Sequence, residues 1–361
     1  MPFGIDRDIT RSSTLPSRFY TDPAIFEESK TRLFEPAWHW LGHSDVIKNP
    51  GQTYPFTLLE GMLDEPLVLT RDMEDCCHLL SNVCTHRGML VCEGPGPDRQ
   101  LRCRYHGRRF NLDGKFHSMP EFGGVENFPT EADNLKSLPL GNWGPFLFGS
   151  LSPSLSLEEF LKPMQERIGW LPLDEFIHSP AESRDYLVKA HWALYVDNYM
   201  EGFHIPYIHA ALNQVLSFED YVYEPFGHGL LQLGVAAAGE DSFDLPTTSP
   251  DYGKEIAAYY YWLFPNLMLN FYPWGLSVNV VKPLGMDVTK VSFIRYLWRP
   301  DRRQVGAGAL LDRVEREDEA VVELVQKGIR SRFYDRGRFS PRHEVGTHYF
   351  HWLVNESFKI S

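Results

Sequence analysis

The chain reads as an α+β protein of two modules: a small all-β module, then a mixed domain built on a curved antiparallel sheet. Three observations predict this. From Trp38 to about Leu151, short strand-like runs are separated by Gly and Pro turns. From Tyr221 to Trp298, longer strand-like runs follow one another. Segments with helical spacing, at about 157–170, 191–204 and 308–332, bracket that second stretch, so helices should lie across one sheet rather than alternate with its strands.

The elements follow in order. A helical stretch from about Pro23 to Phe34 carries Phe26, Leu33 and Phe34 as apolar anchors. Strands are expected at 67–70, 79–82 and 109–112, the last running into Asp113-Gly114, a strong hairpin signal. After the polar patch 152–156 the character changes. Strands at 278–283 and 291–296 should pair antiparallel around Leu284-Gly285. The expected division is 1–37, an N-terminal segment packing on the second domain; 38–155, the all-β module; and 156–361, the mixed domain. A chain of 361 residues can bury two cores.

Hydrophobic residues make up 43% and aromatics 14%, so both interiors are rich in apolar surface. With 35 basic and 48 acidic side chains the formal charge is −13, which argues against nucleic acid as a partner. No apolar run approaches the length of a membrane helix and the first residues lack a signal-peptide layout, so a cytoplasmic protein is expected. Of the five cysteines, Cys76, Cys77 and Cys92 form no secreted disulfide framework and read as ordinary residues of a reducing compartment.

The other two cysteines carry chemistry. Cys84-x-His86 and Cys103-x-x-His106 each offer one thiolate and one imidazole. That pairing suits a [2Fe–2S] cluster in which one iron takes the sulfurs and the other the nitrogens, the Rieske arrangement. A structural zinc site could use the same atoms, but zinc fingers normally run Cys, Cys, His, His, with each like pair on one turn. Gly88 and Gly107 let the backbone approach the cluster.

A second constellation lies at His204 and His209. An i,i+5 pair does not share a face of an ideal helix, but Pro206 between them should loosen the helix and let both imidazoles converge. With one carboxylate they would complete a 2-His-1-carboxylate triad for Fe(II), leaving positions open for dioxygen. On the C-terminal helix Val314, Val321, Val325 and Ile329 mark an apolar stripe, and Asp318 falls on it. Glu317 lies closer to the polar edge, and Glu315, Glu319 and Glu323 read as solvated charge. The stripe therefore favours Asp318 over Glu317.

With both sites in place the chain resembles the large (α) subunit of the Rieske non-haem iron oxygenases, from about residue 18 to the end. The resemblance rests on Asn82-Val83-Cys84-Thr85-His86-Arg87-Gly88, on Cys103-Arg104-Tyr105-His106-Gly107, and on the second-site run through His204 and His209. Where the family often has Pro and Trp, this chain has Arg104 and Arg108. The Asn198-Tyr199-Met200-Glu201-Gly202-Phe203-His204 setting, the Phe264-to-Asn270 run, and the C-terminal runs 317–329 and 334–338 look like the choline, carnitine and betaine monooxygenase branch. The resemblance implies an all-β Rieske domain and a helix-grip (START-like) catalytic domain. It implies a [2Fe–2S] cluster held by Cys84, His86, Cys103 and His106, and a mononuclear Fe(II) held by His204, His209 and Asp318. Glu201 stands where the family connects the two metals, and Asn198 beside it belongs to the same catalytic set.

The resemblance further implies a head-to-tail homotrimer with His106 hydrogen-bonded to Glu201 across the interface. The reaction would use O2 and NAD(P)H-derived electrons from a separate reductase of flavin or ferredoxin type; no Gly-x-Gly-x-x-Gly nucleotide loop occurs in the chain itself. It would hydroxylate or N-dealkylate a small organic substrate. Aromatics from Tyr259 to Trp274 could cage a quaternary ammonium, line a pocket for an aromatic substrate, or pack the core. Phe203, Phe264, Asn270 and Trp274 are the candidate pocket residues. The alternatives are an aromatic ring-hydroxylating dioxygenase and, in another class, a Rieske electron carrier without oxygenase activity. The roughly 200 residues after the cluster module weigh against the carrier.

Overall fold

The computed structural model describes residues 2–209, 211–215, 221–306 and 311–359. The chain forms two compact units, Glu35–Leu157 and Met1–Phe34 with Glu158–Ser361.

The first unit is all β. Strands Gln52–Leu58, Glu65–Arg71 and Cys77–Ser81 form the centre of a five-stranded antiparallel sheet, edged by Gly96–Pro97 and Ser137–Leu138. A three-stranded sheet joins His39–His43, Phe146–Gly149 and Leu140–Trp143. The expected 109–112 strand pairs only over Arg109–Phe110; Asn111 N–H then donates to the Lys115 carbonyl (2.8 Å), closing the turn through Asp113-Gly114. Val68, Leu80, Leu101, Phe110, Leu112 and Leu135 make one core, and Cys84 and Cys103 are buried in it.

The second unit carries an eight-stranded sheet, antiparallel throughout. Its central strands, Ile256–Leu263, Leu267–Tyr272 and Gly275–Gly285, are buried almost end to end on both faces. That explains their nearly continuous apolar sequence. Trp262, Trp274, Tyr259 and Phe271 are fully buried, each contributing about 2–3 kcal/mol by area alone. The 275–285 and 288–297 strands pair as expected, but Gly285 still pairs with Val288, so the turn falls at Met286-Asp287, two residues later than the Leu284-Gly285 expectation.

Three helices position the site: Trp192–Tyr199, Leu311–Ile329 and Val345–Ser357. The expected 191–204 helix ends at Tyr199, because Gly202 and Pro206 follow closely and the Glu201 side chain takes the backbone N–H of His204 (3.0 Å). A single turn, Ile205–Ile208, comes next. The 192–199 helix is pinned at Asp197, whose carboxylate accepts from the Tyr20 hydroxyl and pairs with His351 Nε2, each at 2.7 Å. Gly346 touches the end of the same helix: a Cβ there would stand 2.1 Å from the Met200 carbonyl oxygen, so only glycine allows this approach.

The C-terminal helix corrects two expectations. Its 308–310 start lies outside the described residues. Its buried face is Glu315, Val322, Gln326 and Ile329, not the 314/321/325 stripe; Val325 is 45% exposed. Glu315 is therefore no solvated charge: it is 4% exposed and accepts from the Tyr195 hydroxyl at 2.7 Å. Glu323 is committed too, accepting from Lys189 N–H at 3.0 Å. Gln326 accepts from His191 N–H at 2.7 Å. These bonds compensate polar groups that hydropathy assigns to water.

Candidate metal centres and substrate cavity

The two cysteine–histidine loops share one backbone design. Cys84 N–H donates to Met89 O and Gly88 N–H to Cys84 O; Cys103 N–H donates to Arg108 O and Gly107 N–H to Cys103 O, all between 2.8 and 3.0 Å. Gly88 and Gly107 sit at φ of +74° and +75°, the left-handed conformation that closes each loop. The His86 and His106 rings lie 4.8 Å apart, and the Cys84 and Cys103 thiols lie within hydrogen-bonding reach of each other. His106 Nδ1 is buried without a hydrogen-bond partner. Two buried thiols, two converging imidazoles and an orphaned ring nitrogen fit a mixed-ligand [2Fe–2S] cluster.

Arg104 and Arg108 behave differently. Arg104 is on the surface, paired with Glu93. Arg108 is 2% exposed, so it does not shape the outer surface as its charge suggests. Its guanidinium donates to the Asp133 carboxylate at 2.7 Å and lies 5.0–5.6 Å from the ring centroids of Phe110, Phe116 and Phe128.

In the second unit, His204, His209 and Asp318 come together with one donor atom from each, all within 4.8 Å of one another. Asp318 Oδ1 lies 2.9 Å from His209 Nε2 and 3.5 Å from His204 Nε2. Each imidazole is held from behind by a second acid: His204 Nδ1 meets Glu201 Oε1 at 2.7 Å, and His209 Nδ1 meets Glu317 Oε2 at 2.8 Å. Burial alone would push the His209 imidazole down, but Asp318 and Glu317 outweigh it and push it up. The His209 Nε2 facing Asp318 thus sits where a cation is stabilised. Two imidazoles and a carboxylate, with both rings oriented by outer carboxylates, fit a mononuclear Fe(II). Glu317 was read only as a rival for the ligand position. The signal for its role was the rule that a ligating histidine usually donates its other ring N–H to a carboxylate or carbonyl.

These residues open on a cavity of about 110 Å³. Tyr199, Tyr221, Tyr260 and Tyr272 line it, with Asn198, Asn270, Gln232 and Glu315. Tyr199 donates to Asn270 Oδ1 at 2.5 Å, and Gln232 Nε2 donates to the Tyr199 carbonyl at 2.7 Å. Burial pushes the Tyr199, Tyr221 and Tyr260 phenols well above their usual value, so they stay neutral. Of the four pocket residues expected from sequence, only Asn270 is on the wall. Phe203 is 36% exposed and stacks on His343. Phe264 packs edge-on against Trp262. Trp274 stacks behind Tyr272, with Arg303 4.8 Å from its ring centroid. A sheet buried on both faces gives no alternation from which to tell cavity side from core side.

Comparisons with known proteins follow this geometry. Residues 175–359 match the ring hydroxylating alpha subunit (catalytic domain) family, and residues 37–129 match the Rieske [2Fe-2S] domain. The chain is 32% identical to the chloroplastic choline monooxygenase of Arabidopsis thaliana, over 98% of this chain and 84% of that protein. It is 28% identical to the carnitine monooxygenase oxygenase subunit of Escherichia coli K12, over 96% of this chain and 94% of that one. The fold is similar to that of a quaternary ammonium Rieske monooxygenase crystallised with L-carnitine (TM-score 0.78, 23% identity, 99% of each chain). It is also similar to that of naphthalene 1,2-dioxygenase from Rhodococcus (TM-score 0.72, 20% identity, 96% of this chain and 95% of that one). No helix among the described residues is long and apolar enough to cross a membrane. The chain belongs to the ring-hydroxylating alpha-subunit family, the Rieske non-haem iron oxygenases, with a [2Fe–2S] cluster and a mononuclear iron as its cofactors.

Proposed function

We propose that this oxygenase oxidises a small quaternary ammonium compound, by hydroxylation or N-dealkylation, with O2 and reductase-supplied electrons. The observation that carries the proposal is the wall of the cavity beside His204, His209 and Asp318: five neutral tyrosines, Tyr195 among them, and no surplus of cations. A quaternary ammonium has no N–H to donate, so aromatic faces and fixed negative charge are what can hold it. The similarity to choline and carnitine monooxygenases supports the same substrate class.

The residues divide the work. His204, His209 and Asp318 would hold the mononuclear iron, and Cys84, His86, Cys103 and His106 the cluster. When bound, the iron supplies dioxygen activation and the cluster supplies single electrons. Glu201 and Glu317 fix the tautomer of each ligating imidazole by accepting a hydrogen bond from its Nδ1–H. Asn270 orients the Tyr199 hydroxyl at the cavity wall. Glu201 also accounts for the electron route: placed against one metal's imidazole, it is suited to receive His106 of a neighbouring subunit, in a homotrimer served by a separate NAD(P)H-dependent reductase. The fold-related structure reported to show inter-subunit electron transfer supports transfer between subunits.

The test is O2 uptake and product mass with a reductase, comparing choline, L-carnitine and glycine betaine with naphthalene and benzoate. Substrate-dependent oxygen consumption with an oxidised amine product is expected. Turnover of the aromatic set alone would overturn the assignment.

A further inference from the structure

We infer that Glu315 is a substrate-binding residue, the negative charge that receives the ammonium group of the substrate. The inference rests on the quaternary-amine reading above.

Three acids line the cavity: Glu201, Asp318 and Glu315. The first two are committed. Glu201 holds the Nδ1 of His204, and Asp318 faces the Nε2 atoms of both histidines. Glu315 stands one helical turn before Asp318, with no histidine against it. It is 4% exposed. Its Oε2 is fixed by the Tyr195 hydroxyl at 2.7 Å, and its Oε1 is buried with no hydrogen-bond partner. A buried carboxyl oxygen left unpaired is costly, and more so when charged. Its presence on the wall of a ligand cavity is accounted for when the ligand brings a positive charge to it.

The chemistry selects a cation. Burial foremost, and then the Asp318, Glu319 and Asp312 carboxylates, push the Glu315 carboxyl well above its ordinary range, with the Tyr195 hydroxyl pulling the other way. An arriving positive charge offsets both contributions. The same cavity surrounds the cation with tyrosine faces, which favour a large, weakly hydrated ammonium over a compact one. An uncharged substrate of the same shape would fill the space and leave Glu315 as it is.

The experiment compares two quaternary ammonium compounds with carbon isosteres that lack the ammonium charge: choline with neutral 3,3-dimethylbutan-1-ol, and glycine betaine with the 3,3-dimethylbutanoate anion. Binding to the anaerobic holoenzyme is measured by calorimetry, and KM and kcat by O2 uptake. In the wild type the better-bound cation should exceed its isostere. In Glu315→Gln its Kd and KM should rise on the order of tenfold to a hundredfold, with the isostere's affinity and kcat at saturation within about twofold. Glu319→Gln is the control: Glu319 also has an unpartnered buried oxygen but does not line the cavity, and its variant should leave KM unchanged. Should Glu315→Gln fail to assemble, Tyr195→Phe carries the test, with a severalfold loss for the cation alone. An unchanged Kd for the cation, or equal losses for cation and isostere, overturns the role of Glu315 and leaves the substrate class standing. A wild-type protein that binds no quaternary amine overturns both.

Discussion

The Arg108 guanidinium donates to the Asp133 carboxylate at 2.7 Å, and the carbonyl of that same Asp133 accepts from the Thr85 hydroxyl at 2.8 Å. Thr85 sits between Cys84 and His86, and Arg108 follows His106-Gly107. One residue therefore ties both cluster loops to a third segment, which is itself capped by Asp133 Oδ2 accepting from Thr130 N–H at 2.8 Å. Here the chain places an ion pair in an aromatic box.

That arrangement predicts an asymmetric response. Asp133→Ala leaves the buried guanidinium only the residue-133 main-chain carbonyl, at 3.1 Å, in place of its carboxylate, and removing one partner of a buried pair costs about 3–5 kcal/mol. The denaturation midpoint of the apoprotein should fall accordingly. Arg108→Trp removes the charge and keeps the box filled, so combined with Asp133→Asn it should recover most of the loss. An Asp133→Ala protein as stable as the wild type would mean that the pair contributes no net stability.

The metal triad predicts a division between adjacent acids. Asp318→Ala should lose the mononuclear iron while keeping the cluster spectrum. Glu317→Gln keeps a hydrogen-bond partner for His209 but not its charge, so iron should be retained with affinity about 10–100-fold weaker. Iron content after dialysis against a graded chelator separates the two. If Glu317→Gln loses the iron and Asp318→Ala retains it, the roles are reversed.

Burial pushes the His191 imidazole down to about 3 from an ordinary value of 6.5. His191 caps the 192–199 helix, accepting Ala193 N–H through Nδ1, and has Phe19, Tyr20 and Phe26 packed around its ring. The unfolded chain takes up this proton below about pH 6.5 and the folded chain does not until about pH 3. This histidine therefore destabilises the fold progressively as pH falls through that window and is neutral to stability above it. Denaturant midpoints measured from pH 8 to pH 4 should show the decline, and His191→Asn, which keeps a cap, should flatten it. An equal slope in both proteins would assign the acid sensitivity to other groups.

Much of this was legible because metal chemistry demands particular residues at short range. Cys84-x-His86 and Cys103-x-x-His106 stand out against any background, and His204 and His209 do so once Pro206 is noticed between them. The acids were harder. Hydropathy places a glutamate in water, so it assigns Glu315 to the wrong face and sets the 314/321/325 stripe about one residue out of phase. What buries Glu315 and Gln326 is the Tyr195 hydroxyl and the His191 N–H, both more than 100 positions away. The cavity wall was hidden for a related reason: along Ile256–Leu263 and Leu267–Tyr272 both faces are buried, and periodicity cannot tell Tyr260, on the wall, from Trp262, in the core.

Glu201 gives the last prediction. Both of its oxygens are engaged: Oε1 with His204 Nδ1 at 2.7 Å and Oε2 with His204 N–H at 3.0 Å. It therefore sets the ring of one iron ligand and the start of the turn that carries it. Glu201→Gln keeps the shape and removes the charge. Its amide cannot accept as strongly from the imidazole, which lowers the basicity of His204 as a ligand. Both cofactors should remain bound and the cluster should remain reducible. Transfer of the cluster's electron to the mononuclear iron should slow by at least about tenfold, since that step depends on the imidazole's orientation and on its hydrogen bond. Stopped-flow re-oxidation of the reduced cluster, with substrate and O2 present, reads the step directly. Glu201→Asp is the counterpart: it restores the charge on a shorter arm and should recover part of the rate. Wild-type re-oxidation in Glu201→Gln would make Glu201 a purely structural cap and send the electron by another route.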